Sequence, residues 1–235
     1  MNTRQARGRR SSGAAILIFR LLAVVGIAGA AGVSGCGGGS GSPMSSMAPA
    51  SGVAMVTLTD APGDFLSYQL AVVSLKLTRA DGTAVETLPA PSKVDFAQLV
   101  DLAEVITARQ VSAGTYTGVS MTVDYAGARI VVDDGAGGLT VPAANILNGA
   151  TNGALVAPNS QLTLTLKLPP GAPLVISDRG IANFALDFNL GASNTVAPAA
   201  ISASTLASAV TLTVQPMLSG SLAPDASKPV RVRGK

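Results

Sequence analysis

The sequence predicts a mainly β protein: an antiparallel β-sandwich with one short helix, preceded by a signal peptide and a disordered tether. Three observations carry this. Apolar and polar residues alternate strictly in several short segments. Clusters of Gly, Pro and Asp punctuate those segments. The first 52 residues read as an export leader followed by a Gly/Ser linker; with the last 15 set apart as a basic tail, about 165 residues remain, enough to bury roughly two-thirds of their unfolded surface.

Gln161–Leu168 is the clearest strand. It places Leu162, Leu164, Leu166 and Leu168 on one face and Thr163, Thr165 and Lys167 on the other, the period of two of a half-buried strand. Ala209–Gln215 repeats the pattern with Val210, Leu212 and Val214, and Thr117–Tyr125 with Val119, Met121 and Val123. Phe184, Leu186 and Phe188 alternate with Ala185 and Asp187. Val53–Thr59, Gln69–Thr78, Ala84–Leu88, Arg129–Val132 and Leu174–Ser177 complete the set. Turn signals lie between them at Ala61-Pro62-Gly63-Asp64, Asp81-Gly82, Asp133-Asp134-Gly135 and Pro169-Pro170-Gly171. One stretch, Phe96–Gln110, reads as helix. Leu99, Leu102, Val105 and Ile106 fall at i, i+3, i+6 and i+7, and Asp95 stands where an N-cap would.

The leader has three parts. A basic start (Met1–Arg10) precedes a thirteen-residue apolar run, Leu21–Val33, too short to span a bilayer. Val33, Ser34 and Gly35 then stand directly before Cys36, the only cysteine, in the pattern of a lipobox whose thiol takes a diacylglycerol. Arg9-Arg10 lacks the hydrophobic follow-up of a twin-arginine signal, so the general secretory route is expected. The expected organisation is therefore signal peptide 1–35, flexible tether 36–52, sandwich 53–220 and basic tail 221–235. The tether composition behaves as coil with a root-mean-square span of about 20–25 Å.

The formal net charge of +3 misleads. Five of the 16 basic residues lie in the leader and four at 228–235, so the stretch from Cys36 to Ser227 carries seven basic against thirteen acidic residues. Such a body is not a nucleic-acid surface, which needs clustered basic side chains. With no His there is no imidazole base, ligand or Ser-His-Asp triad, and one Cys makes no thiolate metal site. Neither G-x-S-x-G nor S-x-x-K occurs. A glycosidase-type pair would have to come from the only glutamates, Glu86 on a strand and Glu104 on the expected helix, and nothing brings them together.

The order of segments resembles a known family. Val56–Pro62, Leu77–Gly82, Val94–Val100, Val111–Thr117, Arg129–Asp134, Leu139–Pro142 and Leu186–Phe188 follow one another as in the bacterial lipoproteins built on domain of unknown function 4382. Ala113-Gly114-Thr115-Tyr116 is similar to turns in transthyretin-like and carboxypeptidase-regulatory-like sandwiches. The resemblance implies an Ig-like or transthyretin-like Greek key and no defined biochemistry. Family members often continue past a point like Arg231-Val232-Arg233-Gly234, so a further C-terminal module is one expectation. Gly37 after the cysteine, rather than Asp, implies by resemblance to Gram-negative lipoproteins an outer-membrane protein facing the periplasm or the cell surface.

The candidate site residues are Asp60, Asp64, Asp133 and Asp134. Loop carboxylates with carbonyls nearby suit Ca²⁺, but the D-x-[DN]-x-[DN]-G loop is absent and turn chemistry accounts for the same residues. No cofactor is expected, with calcium as the one alternative. The expected function is non-catalytic: a membrane-anchored module binding an envelope protein, or a polysaccharide, but no nucleic acid. The scarcity of Tyr and the lack of Trp favour a protein partner. The alternatives are a carboxylate- or metal-dependent envelope enzyme, and an accessory domain of a larger system.

Overall fold

Sixteen strands form three sheets in the computed structural model, which describes residues 49–232 except 62, 152, 155–159, 224 and 225. In chain order they are β1 (Ser51–Thr59), β2 (Phe65–Arg79), β3 (Ala84–Glu86), β4 (Ser92–Asp95), β5 (Ala103–Ser112), β6 (Gly114–Val132), β7 (Leu139–Thr140) and β8 (Ile146–Asn148). Then come β9 (Gly153–Ala154), β10 (Gln161–Lys167), β11 (Leu174–Ile176), β12 (Ile181–Asp187), β13 (Asn194–Ala197), β14 (Thr211–Val214), β15 (Ser219–Ser221) and β16 (Val230–Val232). One four-residue helix, α1 (Leu190–Ser193), and three short 3₁₀ turns complete the described elements. The signal peptide, Val33, Ser34, Gly35, Cys36 and most of the tether lie outside the described residues.

The first sheet has the order β15-β12-β1-β5-β16. The second is built on the long antiparallel ribbon of β2 and β6, flanked by β10 and β3, with β4 beside β2 and both β7 and β11 beside β6. The third runs β13-β14-β8-β9. Most pairs are antiparallel; β1 with β12, β5 with β16 and β8 with β14 are parallel. The inner faces share one core: Val56 and Leu58 of β1, Leu70, Val72 and Leu75 of β2, Val119, Met121 and Val123 of β6, Phe184 and Leu186 of β12, and Leu212 and Val214 of β14. Each such side chain contributes about 1.5–3 kcal/mol on burial, so small aliphatics at this number suffice without tryptophan. The mainly β, multi-sheet architecture is the predicted one.

The expected helix at Phe96–Gln110 is replaced by a 3₁₀ turn at Phe96–Leu99 and the strand β5. The reason is a bulge. Thr107 pairs with Val56 and Val105 with Thr57, so Ile106 is an extra residue that breaks the alternation. Val105 and Ile106 thus become two adjacent apolar positions, which imitate helical spacing. Asp95 makes no side-chain cap to that turn. Its carboxylate instead accepts from the Tyr68 N–H at 2.8 Å and the Ser67 hydroxyl at 2.9 Å on β2.

The domain boundaries also move outward. Ser51 and Gly52, read as tether, open β1, where the Ser51 N–H donates to Asp178 and the Ser51 carbonyl accepts from the Arg179 N–H. Within the segment read as a tail, β16 pairs with β5. The strands read as Thr117–Tyr125 and Arg129–Val132 are one strand, β6. Between the pairs Ala71–Asp124 and Gln69–Arg129, β6 has four residues against the single Leu70 of β2, and this excursion sinks Tyr125 into the core.

Candidate functional site

A carboxylate free to do chemistry is one that the fold has not spent. Nine of the described carboxylates accept hydrogen bonds from backbone N–H groups: Asp60, Asp81, Glu86, Asp95, Asp124, Asp133, Asp134, Asp178 and Asp187. Most do so one or two residues along their own turn, which is how Asp fixes irregular backbone.

Asp60 differs from the other three candidates in being buried. It sits at the end of β1, only 1% exposed, and its Oδ1 accepts from the Ala61 N–H at 2.9 Å and the Leu190 N–H at 2.8 Å. Its Oδ2 is buried without a hydrogen-bond partner among the described atoms. Loss of hydration raises its pKa to about 7, against the two N–H bonds that favour the charge, with the nearby Asp187 carboxylate raising it further and Lys228 lowering it. The Lys228 ammonium donates to the Asp60 carbonyl at 2.8 Å and the Thr59 hydroxyl at 2.7 Å.

Beside Asp60 lies a buried polar chain. The Tyr68 hydroxyl meets the Tyr125 hydroxyl at 3.0 Å and donates to Asn194 Oδ1 at 2.8 Å, while Asn194 Nδ2 donates to the Leu190 carbonyl. Burial raises the pKa of both phenols, so both stay protonated. The α1 turn therefore connects Asp60, through its Leu190 N–H, to the two tyrosines, through Asn194. The arrangement holds three chain segments together.

Asp64 and Asp133 come together. The Asp133 N–H donates to the Asp64 carbonyl, and both residues line a shallow cleft of about 360 Å³ with Val196 and the Ala199–Ile201 loop. Asp133 Oδ1 is occupied by the Gly135 N–H. Asp134 is occupied by the N–H groups of Ala136 and Gly138, which hold its pKa below the usual carboxylate value. Two of the four candidates thus share a cleft, one is buried at the end of β1, and one closes its own turn. No group of three or more Cys, Asp or Glu side chains among the described residues is placed to hold a metal ion.

Glu86 and Glu104 stay apart in role as in sequence. Glu86 accepts from the N–H groups of Leu75 and Leu88 and from the Ser74 hydroxyl, which lower its pKa against a burial penalty. Glu104 lies on β5 rather than on a helix, and its Oε2 accepts from Nε and Nη2 of Arg231. The roles of Tyr68, Tyr125, Lys228 and Arg231 were not foreseen from sequence. A signal was present for the tyrosines: both stand on the apolar side of an alternating strand, where a hydroxyl must find a buried partner.

No family model, no curated protein and no solved structure matches the chain. No helix among the described residues is long and apolar enough to cross a membrane.

Proposed function

We propose that the chain is a lipid-anchored module of the bacterial cell envelope, held on the outer membrane through acylated Cys36 and acting without catalysis as a binding or structural element. The observation that carries the non-catalytic half is the use of the carboxylates: nine accept from backbone N–H groups and Glu104 pairs with Arg231, so most of the described groups able to do acid–base chemistry are engaged in holding the fold. The anchor half rests on Val33-Ser34-Gly35-Cys36 at the end of a thirteen-residue apolar run. Two or more acyl chains anchor stably where one does not.

A protein partner is favoured over a polysaccharide. Sugar platforms stack rings on exposed aromatic faces. Every aromatic side chain of the described body is buried or half-buried, including all three tyrosines. The test is cross-linking in intact cells followed by mass spectrometry of detergent extracts. Recurrent capture of one envelope protein supports the reading; capture of lipoprotein-processing enzymes alone counts against it. An enzyme reading would have to rest on Asp64 and Asp133, the two candidate carboxylates that share a cleft.

A further inference from the structure

Strands of the first two sheets share one end. Ser51 opens β1 opposite Ser112, the last residue of β5, and Ile181 opens β12 beside Val53. In the second sheet Arg79 closes β2 opposite Tyr116, near the start of β6, and Lys167 closes β10 opposite Gly118. The Ala113 N–H donates to the Ala50 carbonyl and the Ala80 N–H to the Thr115 carbonyl, so the turns of both sheets meet there. It is also the end at which the chain arriving from Cys36 enters the fold.

Charge divides along the strands. Toward this entry end stand Arg79, Arg109, Lys167 and Arg179 against Asp81 and Asp178, whereas the rest of the described body carries five basic and ten acidic residues. The polarity runs over the length of β2, fifteen residues or about 45 Å. Asp81 lies 3.6 Å from Arg79 and Asp178 lies 3.8 Å from Arg179, both at surface positions where water screens the pair. Arg109 and Lys167 are exposed, and among the described residues neither has an ion-pair partner. The turn Ser177–Gly180 holds Arg179 at φ 57°, left-handed backbone that Gly usually takes, and leaves its side chain 93% exposed. The entry end is therefore a cationic surface on an otherwise acidic body.

We propose that this end of the body rests on the anionic phosphate headgroups of the bilayer that holds Cys36, with Arg109, Lys167 and Arg179 as the contacting cations. The inference rests on the anchor reading and adds an orientation to it. A linker of the tether's composition spans about 20–25 Å, less than the length of the body, so the entry end is the one the anchor keeps near the surface. Lys and Arg within a Debye length of an anionic bilayer, about 8 Å, are drawn to it, and the acidic remainder of the body is repelled. Both effects turn the body the same way. The opposite end, with the cleft of Asp64 and Asp133, then faces away from the membrane.

Two single-thiol variants read the orientation. Ala172→Cys lies in the exposed turn between β10 and β11 at the entry end, and Ala136→Cys in the exposed turn between β6 and β7 at the other. Membrane-extracted full-length protein is labelled with a fluorescent maleimide and reconstituted into vesicles whose headgroups carry a spin-label quencher. In phosphatidylcholine with phosphatidylglycerol in equal parts, the Ala172→Cys label should be quenched about threefold or more over the Ala136→Cys label, because the two ends stand about 45 Å apart. That excess should fall away in phosphatidylcholine alone, at raised salt, and in Arg109→Glu/Lys167→Glu protein. Equal quenching of the two labels overturns the proposal, as does an excess that ignores lipid charge, salt and charge reversal, which is the result of tethering alone. Should the double variant fail to fold by circular dichroism, the lipid and salt comparisons decide. The parent protein separates this inference from the anchor reading, since an acylated Cys36 takes no maleimide. Label on the parent refutes the anchor and the orientation with it; an unlabelled parent with equal quenching at the two ends refutes the orientation alone.

Discussion

The carboxylate of Asp60 accepts the backbone N–H of Leu190 at 2.8 Å across 130 positions of sequence. That bond fixes the end of β1 against the start of α1, just where the parallel pair β1–β12 runs out. Asp60 achieves this while buried and with one oxygen unpartnered. Its energetic signature is therefore a dependence on pH.

The folded pKa of Asp60, about 7, lies above the ordinary value of 3.8. The folded state thus binds the proton more tightly than the unfolded state, so stability from this group is fully present below about pH 4 and is lost as pH rises to 7. The charged groups acting on it are Asp187 and Lys228. Asp60→Asn keeps an acceptor for Leu190 and cannot ionise. Thermal unfolding of both proteins from pH 4 to 8 should show the variant gaining on the wild type up to pH 7 and level above it. The gain is at most about 4 kcal/mol, at about 1.4 kcal/mol per pH unit. A constant difference across that range would remove Asp60 as the titrating group.

The ion pair at the edge of β5 should respond asymmetrically. Arg231→Ala leaves a carboxylate that is 2% exposed without its guanidinium, whereas Glu104→Gln leaves an arginine that water reaches. The first should cost more than the second. Urea unfolding of the two variants gives the order, and equal losses would contradict it.

Tyr68→Phe removes the hydroxyl that joins Tyr125 to Asn194 in the core. The ring packing against Phe65, Tyr125 and Phe188 remains, so the loss is that of buried polar groups left without a partner, about 1–3 kcal/mol. Tyr125→Phe removes a hydroxyl with one such partner and should cost less. Chemical denaturation reads both.

Gly52 packs where no side chain fits: a Cβ would stand 2.3 Å from the Ser177 carbonyl oxygen and 2.8 Å from that of Gly180. Gly52→Ala should cost about 1–3 kcal/mol, since backbone rather than a flexible side chain must give way. At Gly171 a Cβ meets nothing within 4 Å, so Gly171→Ala should be near neutral. Comparable losses at both positions would show that the start of β1 yields more than its hydrogen bonds suggest.

Local periodicity made most of the sheets legible. Leu162 to Lys167 and Thr211 to Val214 alternate because one face is buried, and the strands lie where that alternation places them. Periodicity failed at Ile106, because one bulged residue puts two apolar side chains side by side and turns a strand pattern into a helical one. The site was less legible. Asp60-Ala61-Pro62 reads as a turn, and nothing nearby in sequence reveals that Leu190 and Lys228 bond to Asp60. Glu104 and Arg231, 127 positions apart, look like surface charges until the parallel pairing of β16 sets them together. Asp133 and Asp134 were legible, since their bonds run to their own turn.

The lipid anchor is the central claim, and the intact mass of the membrane-extracted protein, beside a Cys36→Ala variant, tests it most directly. The expected result is a mature chain beginning at Cys36 and carrying acyl chains, with both the acyl mass and that processing lost in the variant. A soluble, unacylated product cut at another position would contradict the anchor, and with it the placement of this β-sandwich on the outer membrane.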